Sequence, residues 1–393
     1  MKTLFFNAKV IQNGLTLDNG YVCVADGIIE EVGIGFPSEK AGLYECLDLK
    51  GDYLSPGFID AHCHGGGGYD FLDGTAEAIV GAARAHMAHG TTTIAPTSLS
   101  CADEDLFAFF ENYKKAKAET ENMPNLMGIH LEGPFFSVEQ AGAQPPHYLK
   151  NPSIEYAKKV LDAAGGDIIR WSMAPELPGA METGDWLSER GVMISIAHTD
   201  AEYPVINEAV QHGFTHMTHF YSGMGMLRRR NAFRVLGAVE CGYLFDELNI
   251  EIIADGMHLP PELLKLILKC KPHGKITLVT DSMRGAGMPD GPSVLGNMKD
   301  GVPVMLDGGI AKLLDLSAFA GSVATADRLI RVMVKQAGLT IPEAVAMMSE
   351  NVAKQYGIWE TVGSISAGKR ADIVVFDEDI NVSRVYVRGK QVV

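Results

Sequence analysis

Ile129-His130-Leu131-Glu132-Gly133-Pro134 is the stretch from which the fold of this chain can be worked out. An apolar run, residues 126–129, leads into one carboxylate, and Gly133-Pro134 ends the run at once. This pattern is typical of a buried strand that stops at a functional rim, with Glu132 at its carboxyl end. A buried carboxylate needs a partner, because an unpaired charge in the interior is too costly. Histidines in similar settings are candidate partners of Glu132 at a metal ion: His62, His64, His198 and His219.

Apolar, strand-like runs alternate with helical stretches along the middle of the chain. Eight such runs end near His62, Thr97, Glu132, Glu176, His198, His219, Asp255 and Asp281. Helical candidates fill the gaps, for instance residues 76–89, 106–119 and 261–270. The alternation predicts an α/β fold, a (β/α)8 TIM-type barrel. Such a barrel places its chemistry at the carboxyl ends of its strands, and seven of the eight ends carry His, Asp or Glu.

Both ends of the chain alternate in strand fashion. Residues 3–10, 21–25 and 28–32 do so at the start, and residues 371–376 and 384–388 do so at the end. Short strand sets need a partner to bury a face. We therefore expect one small β-sandwich domain, made of residues 1–53 plus 359–393, and a barrel that spans residues 54–358. Two unrelated sheet fragments are the weaker alternative.

Composition restricts the class of protein. Of the 393 residues 47% are apolar, enough for a large core, yet no apolar run approaches the length of a membrane span or a signal peptide. The six cysteines are far apart with no CxxC, which favours free thiols in a reducing compartment. A net charge of −16 argues against nucleic acid or an anionic membrane as partner. We expect a cytoplasmic protein with neither partner.

His62 and His64 are two residues apart, so on a strand both would face one side and could hold one ion. Four glycines follow, residues 65–68, and would let the chain turn away closely beneath a ligand. A lone His-x-His is more often coincidence than a site. Here Pro56-Gly57-Phe58-Ile59-Asp60-Ala61 precedes it, and the longer segment resembles the strand-one signature of the amidohydrolase superfamily.

Five further motifs, in order along the chain, narrow the resemblance from the superfamily to one family within it. They lie at residues 130–135, 197–201, 218–221, 255–258 and 278–281, and they resemble the N-acetylglucosamine-6-phosphate deacetylase family. The similarity runs from about residue 54 to residue 376 and takes in residues 320–322 and 363–372. It implies metal-dependent hydrolysis of an N-acetyl amide by a homodimer, with N-acetyl-D-glucosamine 6-phosphate giving D-glucosamine 6-phosphate and acetate.

Position by position, the resemblance implies that Glu132, His198 and His219 are metal ligands. It makes Asp281 the catalytic acid/base and His258 the residue that orients the substrate and helps hold the carbonyl oxygen. Some members hold a second ion through a strand-one His-x-His and others use one ion. Because His62 and His64 are present, two sites are expected. Zinc, iron and manganese all suit this mixed ligand set.

Two departures from the family bear on the substrate. Ser222-Gly223-Met224 replaces the usual Asn-Ala-Met, and Gln144 follows Gly142-Ala143 where many members have a substrate-facing His. Arg230 lies at the spacing of a family arginine that reaches a neighbouring subunit's phosphate site. The predicted substrate-binding residues are Ala143, Gln144, Ser222, Gly223, Arg230 and His258. Backbone N–H groups near Ser222 and Gly223 are expected to help bind the phosphate.

Other readings stay open from sequence alone. A divergent amidohydrolase could act on N-acetylgalactosamine 6-phosphate or on an unphosphorylated amide. A non-catalytic scaffold fits poorly, since it has no reason to keep the ligand set and Asp281 together. Taken singly, His198 or His219 could be a hydrogen-bonded core histidine, and Asp281 or Asp255 could cap a following helix.

Overall fold

The two ends of the chain meet in one β-sheet in the computed structural model, which describes residues 2–119 and 121–393. Eight strands form this terminal sheet: Lys2–Gln12, Leu15–Ala25, Ile28–Ile34, Glu45–Asp48, Tyr53–Pro56, Ile373–Phe376, Val382–Val387 and Lys390–Gln391. The two groups join where Ile373–Phe376 pairs antiparallel with Tyr53–Pro56. The prediction that both termini build one β unit is confirmed, and the alternative of unrelated fragments is wrong.

The terminal sheet curves over its own core. Phe5 and Tyr386 lie on strands that two other strands separate, so a flat sheet would hold them roughly 14 Å apart. Their ring centroids are 4.9 Å apart, in an edge-to-face contact. The sheet therefore folds back and buries apolar side chains from both ends of the chain, as the layers of a sandwich do. The division into residues 1–53 plus 359–393 and residues 54–358 stays a prediction.

Eight parallel strands form the barrel, here numbered one to eight in chain order. They are Phe58–Cys63, Thr91–Ser98, Ile129–Glu132, Ile168–Met173, Met193–Ile196, Phe214–Met217, Asn249–Ile252 and Ile276–Leu278. Each is hydrogen-bonded in parallel to the next. Between strands eight and one, the Asp281 backbone N–H donates to the His62 carbonyl at 2.9 Å, and the Thr280 hydroxyl donates to Asp60 at 2.6 Å. The predicted barrel and its eight strand ends are confirmed.

The helices follow the strands and pack around them. They are Ala76–Met87, Asp103–Ala118, Ile154–Ala164, Ala180–Ser188, Tyr203–Gln211, Ala238–Leu244, Pro261–Cys270, Ala326–Val332, Ile341–Met347 and Glu350–Gln355. The first one shows why they begin and end where they do. The Thr75 hydroxyl accepts from the Ala78 N–H at its start. Gly90, just beyond its end, has φ 92°, and a Cβ there would lie 2.5 Å from the Phe58 ring, so only glycine fits.

The apolar run 126–129 differs from its prediction as one continuous strand. A two-residue strand, Asn125–Leu126, pairs with strand two, and strand three begins only at Ile129. Between them Gly128 has φ 142°, and a Cβ there would lie 2.3 Å from the Ile169 side chain. The chain turns at this glycine and then enters the barrel, so Glu132 still ends a buried strand as predicted.

Three small strand sets interrupt the barrel after strands one, six and eight. They are Gly65–Gly66 with Tyr69–Asp70, Arg228–Arg230 with Phe233–Val235, and Gly291–Leu295 with Val302–Asp307 and Ile310–Leu313. Each insertion follows the carboxyl end of a barrel strand and so adds to the rim where a barrel carries its site.

The six cysteines are all unpaired, as their spacing predicted. Within residues 2–119 and 121–393, no helix combines the length and the apolar character that crossing a membrane requires.

Candidate active site

The carboxyl ends of the strands bring the predicted ligands to one place. His62 lies on strand one and His64 directly follows it, Glu132 ends strand three, and His198 and His219 lie two residues beyond strands five and six. All five side chains are buried. Residues 132 and 219 of the sequence, 87 positions apart, come within hydrogen-bond distance. The barrel thus assembles the set that the strand ends predicted.

Glu132 is shared between two groups of ligand atoms, one with His198 and His219 and one with His62 and His64. Its Oε1 lies 2.9 Å from His219 Nε2 and 3.4 Å from His198 Nε2. The His62 Nε2 atom is 3.6 Å from the same oxygen. Oε2 lies 3.4 Å from His64 Nε2. The two oxygens of one carboxylate therefore face different histidines.

The donor atoms fit a cation better than they fit one another. The Nε2 atoms of His62 and His64 are 3.2 Å apart, and those of His198 and His219 are 3.1 Å apart. Only one proton can lie between the two Nε2 atoms of each pair. Each of these nitrogens also faces a carboxylate oxygen, which competes for the same proton. A divalent ion accepts several lone pairs at once, and imidazole with carboxylate suits zinc, iron or manganese. The residues therefore fit one or two divalent ions.

Asp281 lies at the edge of the same group of atoms. Its Oδ1 is 3.1 Å from His64 Nε2 and 3.3 Å from His62 Nε2. Burial would raise the pKa of Asp281, but the charge of His62 and a hydrogen bond from His64 outweigh it and hold the pKa below its ordinary value. The carboxylate is therefore ionised at neutral pH. Since the next helix begins only at Ala326, the alternative that Asp281 caps a helix is wrong.

Opposed charges explain how these buried groups coexist. Burial would raise the pKa of Glu132, yet hydrogen bonds from His198, His219 and His64 hold it well below its ordinary value. Burial would lower the pKa of His64, but Asp281 and Glu132 raise it to about 10. Without an ion, the positive charge of protonated imidazoles compensates the negative charge of the carboxylates. A bound cation supplies that positive charge instead, because imidazoles that bind a metal must give up the proton on the ligating nitrogen.

Three residues of the site have left-handed backbone conformations, which non-glycine residues rarely adopt. The φ angles are 46° at His198, 30° at His219 and 47° at Asp281. Each comes within three residues of the end of a barrel strand, where the turn points its side chain at the barrel axis. Such conformations cost about 1–3 kcal/mol each and persist where the surrounding structure enforces them, often at functional sites.

Backbone carbonyls orient two of the histidines. The Nδ1 atom of His198 lies 2.8 Å from the Gln140 carbonyl, and that of His64 lies 3.3 Å from the Thr97 carbonyl. A carbonyl only accepts, so each Nδ1 carries a proton, and each Nε2 can offer a lone pair to the centre of the site once a cation replaces its own proton. This is the tautomer that a metal ligand needs.

Sequence reasoning missed a buried ion pair beneath the ligands. Arg170 of strand four and Glu251 of strand seven are 0% and 1% exposed, and the guanidinium holds both carboxylate oxygens, one at 2.8 Å. Burial would raise the pKa of Glu251, but Arg170 lowers it to about 2. Its Oε2 lies 3.6 Å from His62 Nδ1. The sequence signal that could have revealed this pair is a single charged residue inside each of two otherwise apolar strands.

A cavity of about 220 Å³ opens over the ligands. Its lining comprises His64, Leu99, Glu132, Gly142, Ala143, Gln144, His198, His219, Ser222, Gly223, His258, Asp281, Leu295, Ala318, Phe319 and Gly321. The predicted site residues line it except His62, which is fully buried below, and Arg230. This volume suits a small molecule that reaches the ligands from the rim.

His258 faces the cavity in a fixed orientation. Its Nδ1 lies 2.9 Å from Asp255 Oδ2, and its ring packs against Phe319 with 4.7 Å between centroids. Asp255 also accepts the backbone N–H groups of Met257 and His258, so it closes a turn and caps no helix. The Nε2 atom of His258 is left to contact a ligand.

Two predicted substrate contacts are placed differently from the expectation. The backbone N–H of Ser222 donates to the His219 carbonyl at 2.8 Å, so this N–H is already bonded within the chain, and a phosphate contact from the N–H groups near Ser222 and Gly223 stays a prediction. Gln144 lines the cavity, but its amide is bonded to Glu132 and to the backbone of Ser100. Both groups are already used within the chain.

Arg230 lies outside the cavity, on the hairpin formed by Arg228–Arg230 and Phe233–Val235. It is exposed, and both terminal nitrogens of its guanidinium donate hydrogen bonds to the Glu202 carboxylate. Arg228 shares the same carboxylate and also binds Asp200, at 2.7 Å. The hairpin therefore presents an arginine away from the chain's own site, and a role at another subunit stays a prediction.

Comparison with known proteins gives consistent findings. Residues 53–392 match the model of the Amidohydrolase family. An N-acetylglucosamine-6-phosphate deacetylase of Bacillus subtilis (strain 168) is 33% identical over 389 residues, 98% of this chain and 96% of that relative. An N-acetylgalactosamine-6-phosphate deacetylase of Escherichia coli O157:H7 is 28% identical over 95% of each chain.

The solved structures include a similar fold with a ligand bound. It is a mutant N-acetyl-D-glucosamine-6-phosphate deacetylase from Mycobacterium smegmatis in complex with N-acetyl-D-glucosamine-6-phosphate. The TM-score is 0.91 at 30% identity, covering 100% of this chain and 99% of that one. The likeness includes the terminal sheet as well as the barrel.

Proposed function

The chain belongs to the amidohydrolase family and, within it, to the N-acetylglucosamine-6-phosphate deacetylases; from that membership we propose that it hydrolyses N-acetyl-D-glucosamine 6-phosphate to D-glucosamine 6-phosphate and acetate. One observation carries the proposal. An ionised Asp281 lies 3.1 Å from a histidine of the ligand group, at the floor of a cavity of about 220 Å³. An acid/base thus lies beside a site for a Lewis acid, and metal-assisted amide hydrolysis uses both.

Glu132, His198 and His219 would hold an ion at one position, and His62, His64 and Glu132 would hold one at the other. One or two divalent ions, zinc, iron or manganese, fit these groups. A divalent ion bound there supplies Lewis acidity, which polarises an amide carbonyl and makes a water molecule acidic enough to lose a proton near neutral pH.

Asp281 moves the proton between the two stages of the reaction. Its lowered pKa keeps it ionised at neutral pH, so it first takes a proton from the attacking water. It then returns that proton to the amine nitrogen, which leaves as the free amino sugar. His258, held through Nδ1 by Asp255, presents Nε2 to the acyl group and orients the carbonyl. Both side chains line the cavity, and the acetyl group would lie between them.

Phosphate recognition needs a local positive group, because the net charge of −16 repels an anion at long range. Arg230 is paired with Glu202, and its guanidinium would exchange that carboxylate for phosphate oxygens, with which it can form bidentate hydrogen bonds. Its position on an exposed hairpin outside its own cavity supports a contact to a partner subunit's site. The proposed active form is therefore a homodimer. Ala143, Ser222 and Gly223 line the cavity at the sugar's side.

A second candidate is the same hydrolysis on another N-acyl amino sugar. Ser222 is shorter than the family's asparagine, and Gln144 holds Glu132 in place of offering its amide to a substrate. These two positions leave sugar recognition less constrained than the chemistry. The relative from E. coli O157:H7, named an N-acetylgalactosamine-6-phosphate deacetylase, is similar over most of its length.

Steady-state kinetics on six compounds tests the proposal: N-acetylglucosamine, N-acetylgalactosamine and N-acetylmannosamine, each with and without the 6-phosphate. The proposal requires the highest kcat/KM for N-acetylglucosamine 6-phosphate. A higher value for the galactosamine isomer, or for the unphosphorylated sugars, would replace it with the second candidate.

The proposed compartment is the cytoplasm, with the amino-sugar phosphate as the partner molecule and neither nucleic acid nor membrane. Six unpaired thiols suit a reducing compartment. The acidic net charge disfavours binding to nucleic acid and to anionic lipid.

A further inference from the structure

Gln144 makes contacts of an unexpected kind for a residue on the wall of a substrate cavity. Its Nε2 donates to Glu132 Oε2 at 2.7 Å, and its Oε1 accepts the Ser100 backbone N–H at 2.8 Å. The side chain is 4% exposed. Since a carboxylate only accepts and a backbone N–H only donates, the amide can have only this orientation.

These two bonds leave Gln144 without a group for the substrate. A substrate contact would have to break a short bond to Glu132 or to Ser100. Breaking either one would leave a buried polar atom unsatisfied, at a cost of about 1–3 kcal/mol. The resemblance predicted a substrate contact at this position, and the structure shows a contact to the proposed metal ligand Glu132 instead.

The bond to Glu132 fixes the plane of the carboxylate. The terminal torsion of a glutamate is broad, so the plane of an untethered carboxylate can swing, although its two oxygens are chemically equivalent. Gln144 occupies one lone pair of Oε2, and that oxygen also faces His64 at 3.4 Å. Oε1 faces His219 at 2.9 Å and His198 at 3.4 Å, with His62 at 3.6 Å. With its plane held in this way, one carboxylate contacts both ligand groups.

We propose that Gln144 is a positioning residue that holds the plane of the Glu132 carboxylate with Oε2 towards His64 and Oε1 towards His198 and His219, so that both ion positions can fill. The inference rests on the proposed function only for the presence of the ions. Gln144 acts through Glu132, and its loss lowers metal affinity, with the position served by Oε2 losing most. Partners of this kind typically contribute 10–100-fold in metal affinity.

The test is a titration of the metal-stripped protein with Zn²⁺ against a chromophoric chelator, with no substrate present. Gln144→Met keeps the side chain's length and removes both hydrogen bonds. Gln144→Asn keeps the amide but is one methylene too short to reach Glu132 and Ser100 together, and it serves if the first variant fails to fold. Gln355→Met is the matched control, because Gln355 lines a separate cavity with His216 and Asn249.

We expect the second Zn²⁺ equivalent to bind about 10–100-fold more weakly in the Gln144 variants and unchanged in Gln355→Met. At saturating Zn²⁺, the KM of the Gln144 variants should stay within about twofold of the wild type. Unchanged Zn²⁺ binding with a raised KM would make Gln144 a substrate contact and overturn the inference. Unchanged values of both would also overturn it.

The Zn²⁺ titration does not depend on substrate turnover. A failure of the proposed function can therefore be distinguished from a failure of the inference about Gln144. A wild-type chain that does not deacetylate amino sugars would refute the proposed function, and the Zn²⁺ titration would still judge Gln144. A Gln144 variant with wild-type Zn²⁺ affinity would refute this inference, and the kinetic comparison of the six sugars would still stand.

Discussion

Glu251→Gln is the substitution whose effect on stability can be worked out most directly from the structure. Arg170 and Glu251 are 0% and 1% exposed and form a two-contact ion pair inside the barrel. Glutamine keeps the size of the side chain and one acceptor oxygen but removes the charge. Arg170 is then left as a buried cation without its counter-charge, which is strongly destabilising.

The pKa of Glu251 gives the magnitude. Burial raises that pKa and Arg170 lowers it, and the result is a fall from 4.5 to about 2. At about 1.4 kcal/mol for each tenfold change in proton affinity, the folded state favours the carboxylate by roughly 3 kcal/mol. Removal of one partner of a buried pair costs about 3–5 kcal/mol in general. We therefore expect Glu251→Gln to lower the free energy of unfolding by about 3 kcal/mol at pH 7.

The assay is urea unfolding of the metal-stripped protein, followed by circular dichroism, so that metal binding does not contribute. Glu350→Gln is the matched control, because Glu350 pairs with Lys354 on the surface of a helix and such pairs contribute less than about 1 kcal/mol. A loss below about 1 kcal/mol for Glu251→Gln would refute the reasoning. It would mean that the barrel interior screens or hydrates this pair.

The dependence on pH supplies a second check with a definite sign. The folded-state pKa of Glu251 is depressed, so its contribution is fully present above the unfolded value of 4.5. It is lost as pH falls from about 4.5 towards 2. The difference in stability between the wild type and Glu251→Gln should therefore shrink in that window. A difference that grows as the pH falls would contradict the assignment.

Three further substitutions test the site. Asp281→Asn should keep the metal content and the fold and lower turnover at least about 100-fold, as loss of a general acid/base typically does. Turnover near that of the wild type would show that Asp281 is not the general acid/base. The double mutant His62→Ala, His64→Ala should lose one metal equivalent by elemental analysis, and an unchanged content would remove the second ion position. Arg230→Ala should raise KM for the 6-phosphate about tenfold or more and leave activity on the free sugar nearly unchanged. Mixing it with Asp281→Asn should restore some activity if the arginine acts across a dimer, and equal effects on both substrates would count against a phosphate contact.

The barrel and the ligand set could be predicted because both depend on short-range patterns. A polar residue directly after an apolar stretch marks a strand end, and Glu132 and His198 show that signal. The topology of parallel strands then brings all such ends to one rim.

Other features depend on contacts between distant residues and could not be predicted. The left-handed backbone at His198, His219 and Asp281 is unfavourable locally and is enforced by the surrounding fold. Arg170 and Glu251 each look like a misplaced charge until the barrel pairs them across 81 positions. These features need the assembled structure.

Gln144 shows a different limit of the sequence. It lies on an irregular loop, where no periodicity predicts the direction of a side chain. The family pattern placed it towards the substrate, and the structure places its amide against Glu132. The direction of this side chain depends on its partners Glu132 and Ser100, which the motifs around it do not reveal.

The most direct test of the central claim is proton NMR of N-acetyl-D-glucosamine 6-phosphate during incubation with the metal-stripped protein, before and after addition of Zn²⁺. We predict that free acetate and D-glucosamine 6-phosphate appear in equal amounts only once Zn²⁺ is added, and that Asp281→Asn with the same Zn²⁺ content releases at least about 100-fold less in the same time. Absence of acetate release from the Zn²⁺-loaded wild type, or equal release by Asp281→Asn, would contradict the account.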